Sequence, residues 1–269
     1  MEIFKKKKRV IDASFKSRIY HHRSYRKLPK TKPGQTILDF LICAVLVDVI
    51  ILIIYPSLTY SISYLGKLIF SNQYTQYQII NMPFILGDVY LLDIFGRYPN
   101  QTFSIYAALF SLLIIMVVPL ASFFTKPFAI WLILVSFINL ISSVFFVFFA
   151  NYFPYSMVIY LDLYMKTMIS VWMIIPYILL LGFIPLPTNF MQKLKIIVLS
   201  MLYSILFGCI RYLVYIFILR EFSYLFMAII FFMFGPFFDF VYIVSFYSVF
   251  VSNLAVKIQG DESKWGWLY

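Results

Sequence analysis

Five ionisable side chains stand inside long apolar stretches of this sequence: Asp48, Asp162, Lys166, Arg211 and Asp239. A charge placed in hydrocarbon is costly unless it is paired or hydrated, so each marks either a polar path or a buried ion pair. Asp162 and Lys166 are spaced i, i+4 in acid-then-base order, the favourable order for a pair along one helix. Counted from Pro154 at helical rise, they lie roughly 12 and 18 Å below one membrane surface; Arg211, counted back from Arg220, lies roughly 13 Å below the same surface. The spacing therefore predicts one polar layer containing these three. Asp48 falls near mid-membrane and Asp239 deeper toward the opposite side. Five such groups form either a polar network suited to a transported ion or proton, or a closed set of ion pairs. Three acids against two bases are close to balance, which favours the closed set.

Around these charges run faces of small and polar residues. Ser200, Ser204, Gly208, Arg211 and Tyr215 share one helical face, as do Ser136, Asn139 and Ser143, and Ser104 with Ser111. In a membrane such faces are helix–helix contact surfaces, because small residues let backbones approach and hydroxyls bond across. The other candidates for chemistry do not assemble. His21 and His22 are adjacent in a basic stretch without a Cys or carboxylate at ligand spacing. Cys43 and Cys209 both lie in apolar segments and read as small packing residues. No protease signature or glycine-rich phosphate loop appears, so neither a cofactor nor a catalytic set is expected.

The stretch 185–219, PLPTNFMQKLKIIVLSMLYSILFGCIRYLVYIFIL, faintly resembles the arginine-bearing helix of the exosortase and archaeosortase membrane transpeptidases, with Arg211 at the family arginine. It covers about a seventh of the chain. No cysteine stands in an upstream outer motif and no histidine follows Arg211, so nucleophile and base are both missing and the transpeptidase chemistry is not carried over.

The elements that must position these residues are apolar helices. Only 12% of the 269 residues are charged and 63% are hydrophobic, well below the ~25% charge of a soluble domain. Uncharged runs exceeding the ~20 residues needed to cross ~30 Å of hydrocarbon recur along the chain. The predicted class is an all-α integral membrane protein with about six transmembrane helices over residues 36–256. The first span runs from Thr36 to Tyr55 and stops at Pro56. Ser57–Ser71 then reads as an interfacial amphipathic helix, with Thr59, Ser63 and Lys67 opposite its apolar face. With 72–100, whose polar and aromatic residues alternate between Pro83, Gly87 and Gly96, it is expected to form an outer loop or cap over 57–100. Pro119, Pro176 and Pro236 are expected to kink their helices.

The charge of +11 is a property of one end. Residues 1–32 hold twelve Lys/Arg against Glu2 and Asp12, and the remainder is nearly neutral. Residues 1–35 form a basic tail too long for a secretory leader, so it is expected to be retained. No nucleic acid is expected as a partner. The Lys/Arg distribution places the tail and the short 257–269 segment on the cytoplasmic (or matrix) side. The expected partners are the lipid bilayer, anionic inner-leaflet lipid along residues 4–32, and other membrane subunits. The expected function is a non-catalytic polytopic subunit or accessory protein of a larger membrane complex. The alternatives are an ion- or proton-conducting transporter component and an intramembrane enzyme.

Overall fold

The computed structural model describes residues 26–27, 33–71, 76–121, 124–184, 186, 188–258 and 266–267. Most of the basic tail lies outside the described residues, including both histidines and, apart from Arg26–Lys27, the 4–32 stretch expected to meet anionic lipid. So does most of the 257–269 segment. In chain order the elements are β1 (Arg26–Lys27), α1 (Pro33–Phe40), α2 (Leu46–Phe70), β2 (Gln78–Phe84), β3 (Gly87–Asp93), α3 (Gln101–Val117), α4 (Lys126–Phe148), α5 (Met157–Phe183), α6 (Phe190–Glu221), α7 (Met227–Met233), α8 (Pro236–Ile258) and β4 (Gly266–Trp267). A π-helical turn, Leu41–Val45, joins α1 to α2. β1 pairs antiparallel with β4, two residues against two.

Six stretches are long and apolar enough to cross a bilayer: Ile37–Phe70, Gln101–Leu120, Lys126–Phe148, Met157–Phe183, Phe190–Glu221 and Tyr224–Leu254. The chain is a multi-pass, membrane-embedded helical protein. Its core lies where α5 and α6 pack together, with Trp172, Met165, Ile169, Tyr212 and Ile216 fully buried. A Cβ at Gly208 would stand 2.5 Å from Met168 Sδ, so the two helices meet at a point only glycine permits without rearrangement.

Two sequence expectations change here. Pro56 does not end the first span: α2 runs through it to Phe70 as one helix, which Pro tolerates in a membrane when neighbouring groups take up the freed backbone. The polar stripe of 57–70 also turns inward. Thr59 and Ser63 are buried, whereas Tyr60, Tyr64, Leu65, Leu68 and Ile69 are exposed. The reason is the hairpin β2–β3, a two-residue turn at Ile85-Leu86 with Phe84 opposite Gly87, which packs on α2 and α5.

A lone hairpin leaves an unpaired row of backbone groups on each edge, a liability next to an apolar core. Along β3 this row is filled by side chains. Ser63 Oγ donates to Tyr90 O at 2.8 Å, Tyr90 N donates to Thr59 Oγ1 at 3.3 Å, and Leu92 N donates to the Tyr212 hydroxyl at 3.1 Å. Tyr55 donates to Phe84 O near the turn. The stripe that reads as water-facing thus stands where a third strand would. At the other end, Arg220 donates to Phe70 O at 3.1 Å and lies over the Phe70 and Tyr77 rings, placing a cation at the carboxyl end of α2, where the helix dipole favours it.

Tyr212→Phe and Thr59→Val should each lower stability by about 1 kcal/mol, the net worth of one hydrogen bond. Hydrogen exchange checks the assignment: Tyr212→Phe should speed exchange at the Leu92 amide, and Thr59→Val at the Tyr90 amide.

Candidate functional site

The sixth span is interrupted. α7 ends at Met233, Phe234 and Gly235 form a turn, and Pro236 opens α8. Proline has no N–H and suits the first helical position, so it ends one helix and starts another. A Cβ at Gly235 would lie 2.2 Å from Phe231 O, so the turn has no room for a side chain. The break frees the last carbonyls of α7 inside an apolar bundle, where each must find a donor.

Gly235 O accepts from Asp239 N at 3.2 Å, and Arg211 of α6 supplies further donors. Its Nη1 donates to Phe234 O and Gly235 O, both at 2.9 Å, and its Nη2 lies 2.9 Å from Asp239 Oδ1 and donates to Oδ2 at 3.1 Å. Arg211 and Asp239 are both buried. The guanidinium therefore caps the carboxyl end of α7, and Asp239 sits in the first turn of α8 at its amino end; each charge lies where the helix dipole favours it. Phe207 and Tyr164 line the cation, with ring centroids 4.9 and 5.9 Å from Cζ.

Tyrosines complete the cluster. Tyr215 donates to Ile230 O at 2.9 Å, in the last turn of α7. Tyr164 donates to Gly208 O at 3.3 Å, and Tyr242 donates to Ser204 Oγ at 2.6 Å. Tyr164 and Tyr242 were missed as site residues, although each carries a legible signal. Tyr242 stands three residues after Asp239 on α8, and Tyr160, Tyr164 and Met168 repeat at i, i+4 and i+8 along one face of α5.

The five sequence-predicted charges do not form one network. They divide into three separate contacts: Arg211 with Asp239; Lys166 with Asp162 at 2.8 Å; and Asp48, which accepts from Tyr177 at 2.6 Å. Asp162 and Lys166 sit two residues from Tyr164 on either side, about 160° around the helix from the face that meets Arg211. They are half-buried, and Lys166 lies 6.0 Å from the Phe84 ring of the hairpin. Asp239 reaches the Arg211 layer despite its later position because side chains lean toward the N-terminus of their helix. A long side chain at 211 thus reaches the break. Asp39, at the start of the first span, pairs with Lys193.

The polar faces are interior. Ser136 and Ser143 are buried on α4, where Asn139 Nδ2 donates to Ser111 Oγ of α3 at 2.6 Å. Ser200, Ser204 and Gly208 are buried on α6. Among the described residues no three His, Cys, Asp or Glu side chains converge as a metal site, and Cys43 and Cys209 are free. The chain matches no protein-family model, no curated protein and no solved structure.

The geometry ranks the pairs. Lysine lacks the planar fork that reaches two carbonyls and a carboxylate together, so Arg211→Lys should cost about 2–3 kcal/mol, the scale of a lost charged hydrogen bond. Removing both members of the other pair, Asp162→Leu with Lys166→Met, should cost under about 1 kcal/mol, because no charge is then left unpaired in the span. Unfolding of the purified protein in mixed micelles measures both.

Proposed function

We propose that this chain is a non-catalytic polytopic subunit or accessory protein of a larger membrane assembly. The observation that carries the reading is that the ionisable groups set deepest in the spans, Asp48, Asp162, Lys166, Arg211 and Asp239, are engaged within the chain itself. Arg211 is held by Asp239 and two carbonyls, Lys166 by Asp162, Lys193 by Asp39, and Asp48 by Tyr177. Groups committed in this way stabilise a scaffold. The distribution of burial supports the same reading. In the first three spans 17% to 24% of the most apolar stretch is buried, against 39% to 44% in the last three. Half of the bundle thus presents its surface outward, to lipid or to a partner. In this reading both termini face the cytoplasm or matrix, in a plasma membrane or organellar inner membrane. The basic tail, residues 4–32, docks on partner subunits or on anionic lipid.

A second reading has one observation in its favour. An interrupted span with helix ends at a charged pair is the arrangement by which transporters bind ions and anionic substrates, and the half-buried Asp162–Lys166 pair adds a further charged group. In that reading the chain conducts an ion or proton.

Gentle extraction of the tagged full-length protein from its native membrane separates the two. The subunit reading expects partner polypeptides in fixed stoichiometry at a mass well above the monomer. A lone monomer with a protease-sensitive tail overturns it. Ion or proton flux in proteoliposomes that is lost in Asp162→Ala, with folding intact, establishes the transport reading instead.

A further inference from the structure

Between α6 and α8, on the side of Arg211 toward the start of α6, lies a groove of about 640 Å³. Its walls include Ile196, Tyr203 and Phe207 of α6 and Tyr242, Phe246 and Phe250 of α8. The walls are braced. Tyr203 stacks on Phe207 at 5.6 Å and meets Tyr242 at 5.1 Å and Phe246 at 5.3 Å, while the Tyr242 hydroxyl is fixed to Ser204. Phe207 and Phe238, 6.3 Å apart, close its upper end beneath the guanidinium of Arg211.

Three features say what fills it. From Ile196 to Phe207 the α6 wall rises about 16 Å, close to one leaflet, which is half of the ~30 Å hydrocarbon thickness. The lining is mainly apolar, with Ser245 and Asn253 on the α8 wall, and its volume falls in the ~300–1,000 Å³ range of small-molecule sites. A void at this depth would forfeit dispersion contacts along both walls, so a hydrocarbon chain is the natural filling. The open end carries charge. Lys195 immediately precedes Ile196 and stands one turn before Leu199, beside the lined stripe at the margin of the groove. It is exposed and has no acidic partner among the described residues, whereas Lys193 is turned to Asp39.

We propose that this groove is a binding site for one anionic phospholipid, an acyl chain lying between α6 and α8 and the headgroup phosphate at Lys195. The site is distinct from lipid gathered by the basic tail, which involves headgroups alone. It places a bound chain against Phe207 and Phe238, the rings that wall the Arg211 layer.

Photolabelling of the full-length protein in phosphatidylcholine vesicles tests this. Two probes are compared, phosphatidylglycerol and phosphatidylcholine, each with a diazirine midway along one acyl chain. Labelling of the outward face of α3, at Leu109, Phe110 and Leu113, normalises for bulk lipid and for lipid concentrated by the tail. The expected result is groove labelling about fivefold stronger from the phosphatidylglycerol probe, the effect of one basic residue beside an anionic headgroup. Lys195→Gln should bring it to the phosphatidylcholine level. Val249→Trp, filling the groove from an exposed lining position, should abolish groove labelling by both probes and leave α3 labelling unchanged. Groove labelling no stronger than that of α3 overturns the proposal, as does equal labelling by the two probes. In a parallel sample, a diazirine amino acid placed at Ser245 on the groove wall that crosslinks to a second polypeptide overturns it too, by identifying a protein occupant.

Discussion

A guanidinium enclosed by apolar helices has to be surrounded by acceptors, and a helix interrupted there has to be given donors. Arg211 and the break at Gly235-Pro236 meet both needs at once. The guanidinium bonds the two carbonyls of the turn, Phe234 O and Gly235 O, and the carboxylate that balances its charge is carried by the helix starting after the break. The three parts make sense only together. An uninterrupted sixth span would offer Arg211 no free carbonyls, and a break without Arg211 would deprive Phe234 O of its guanidinium donor and leave Gly235 O with the Asp239 amide alone. The tyrosines around them extend the arrangement by tying α5, α6 and α7 through carbonyl and hydroxyl contacts.

The same logic recurs at the hairpin. Two strands set against helices leave an edge, and here α2 and α6 supply the groups of a missing third strand through Thr59, Ser63 and Tyr212. A short piece of sheet is thereby accommodated in a helical membrane protein, its buried residues Val89, Leu91, Leu92 and Ile94 continuous with the core. Both devices are side chains completing backbone hydrogen bonding where water is scarce, the dominant constraint on any membrane fold.

The spans were legible because hydropathy over about 20 residues is set by the bilayer and needs no tertiary knowledge. The significance of Arg211 was legible for a related reason: a charge in such a run must have a partner. Which partner was not. Counting rise along straight helices separates Asp239 from the Arg211 layer, because the count ignores the reach of the arginine side chain toward the start of its own helix. The count also could not tell that Asp162 and Lys166 face the hairpin. For 57–70 the sequence predicts a two-faced helix, but its polar side meets the edge of β3 instead of water, and Ile62 is buried beside Ser63. The strands themselves were hidden because each is seven residues long and lies among Pro, Gly and polar residues that read as loop.

If the intramembrane charges are committed to the scaffold, Arg211 and Asp239 must act as one unit. A double-mutant cycle in mixed micelles with Arg211→Met, Asp239→Leu and the pair of substitutions together measures this directly. Either single change leaves a buried charge uncompensated, at a cost of about 3–5 kcal/mol. The account predicts that the double variant is at least as stable as either single one, with a coupling energy above about 1 kcal/mol. Costs that add to within about 0.5 kcal/mol would contradict it, because the two side chains would then be independent.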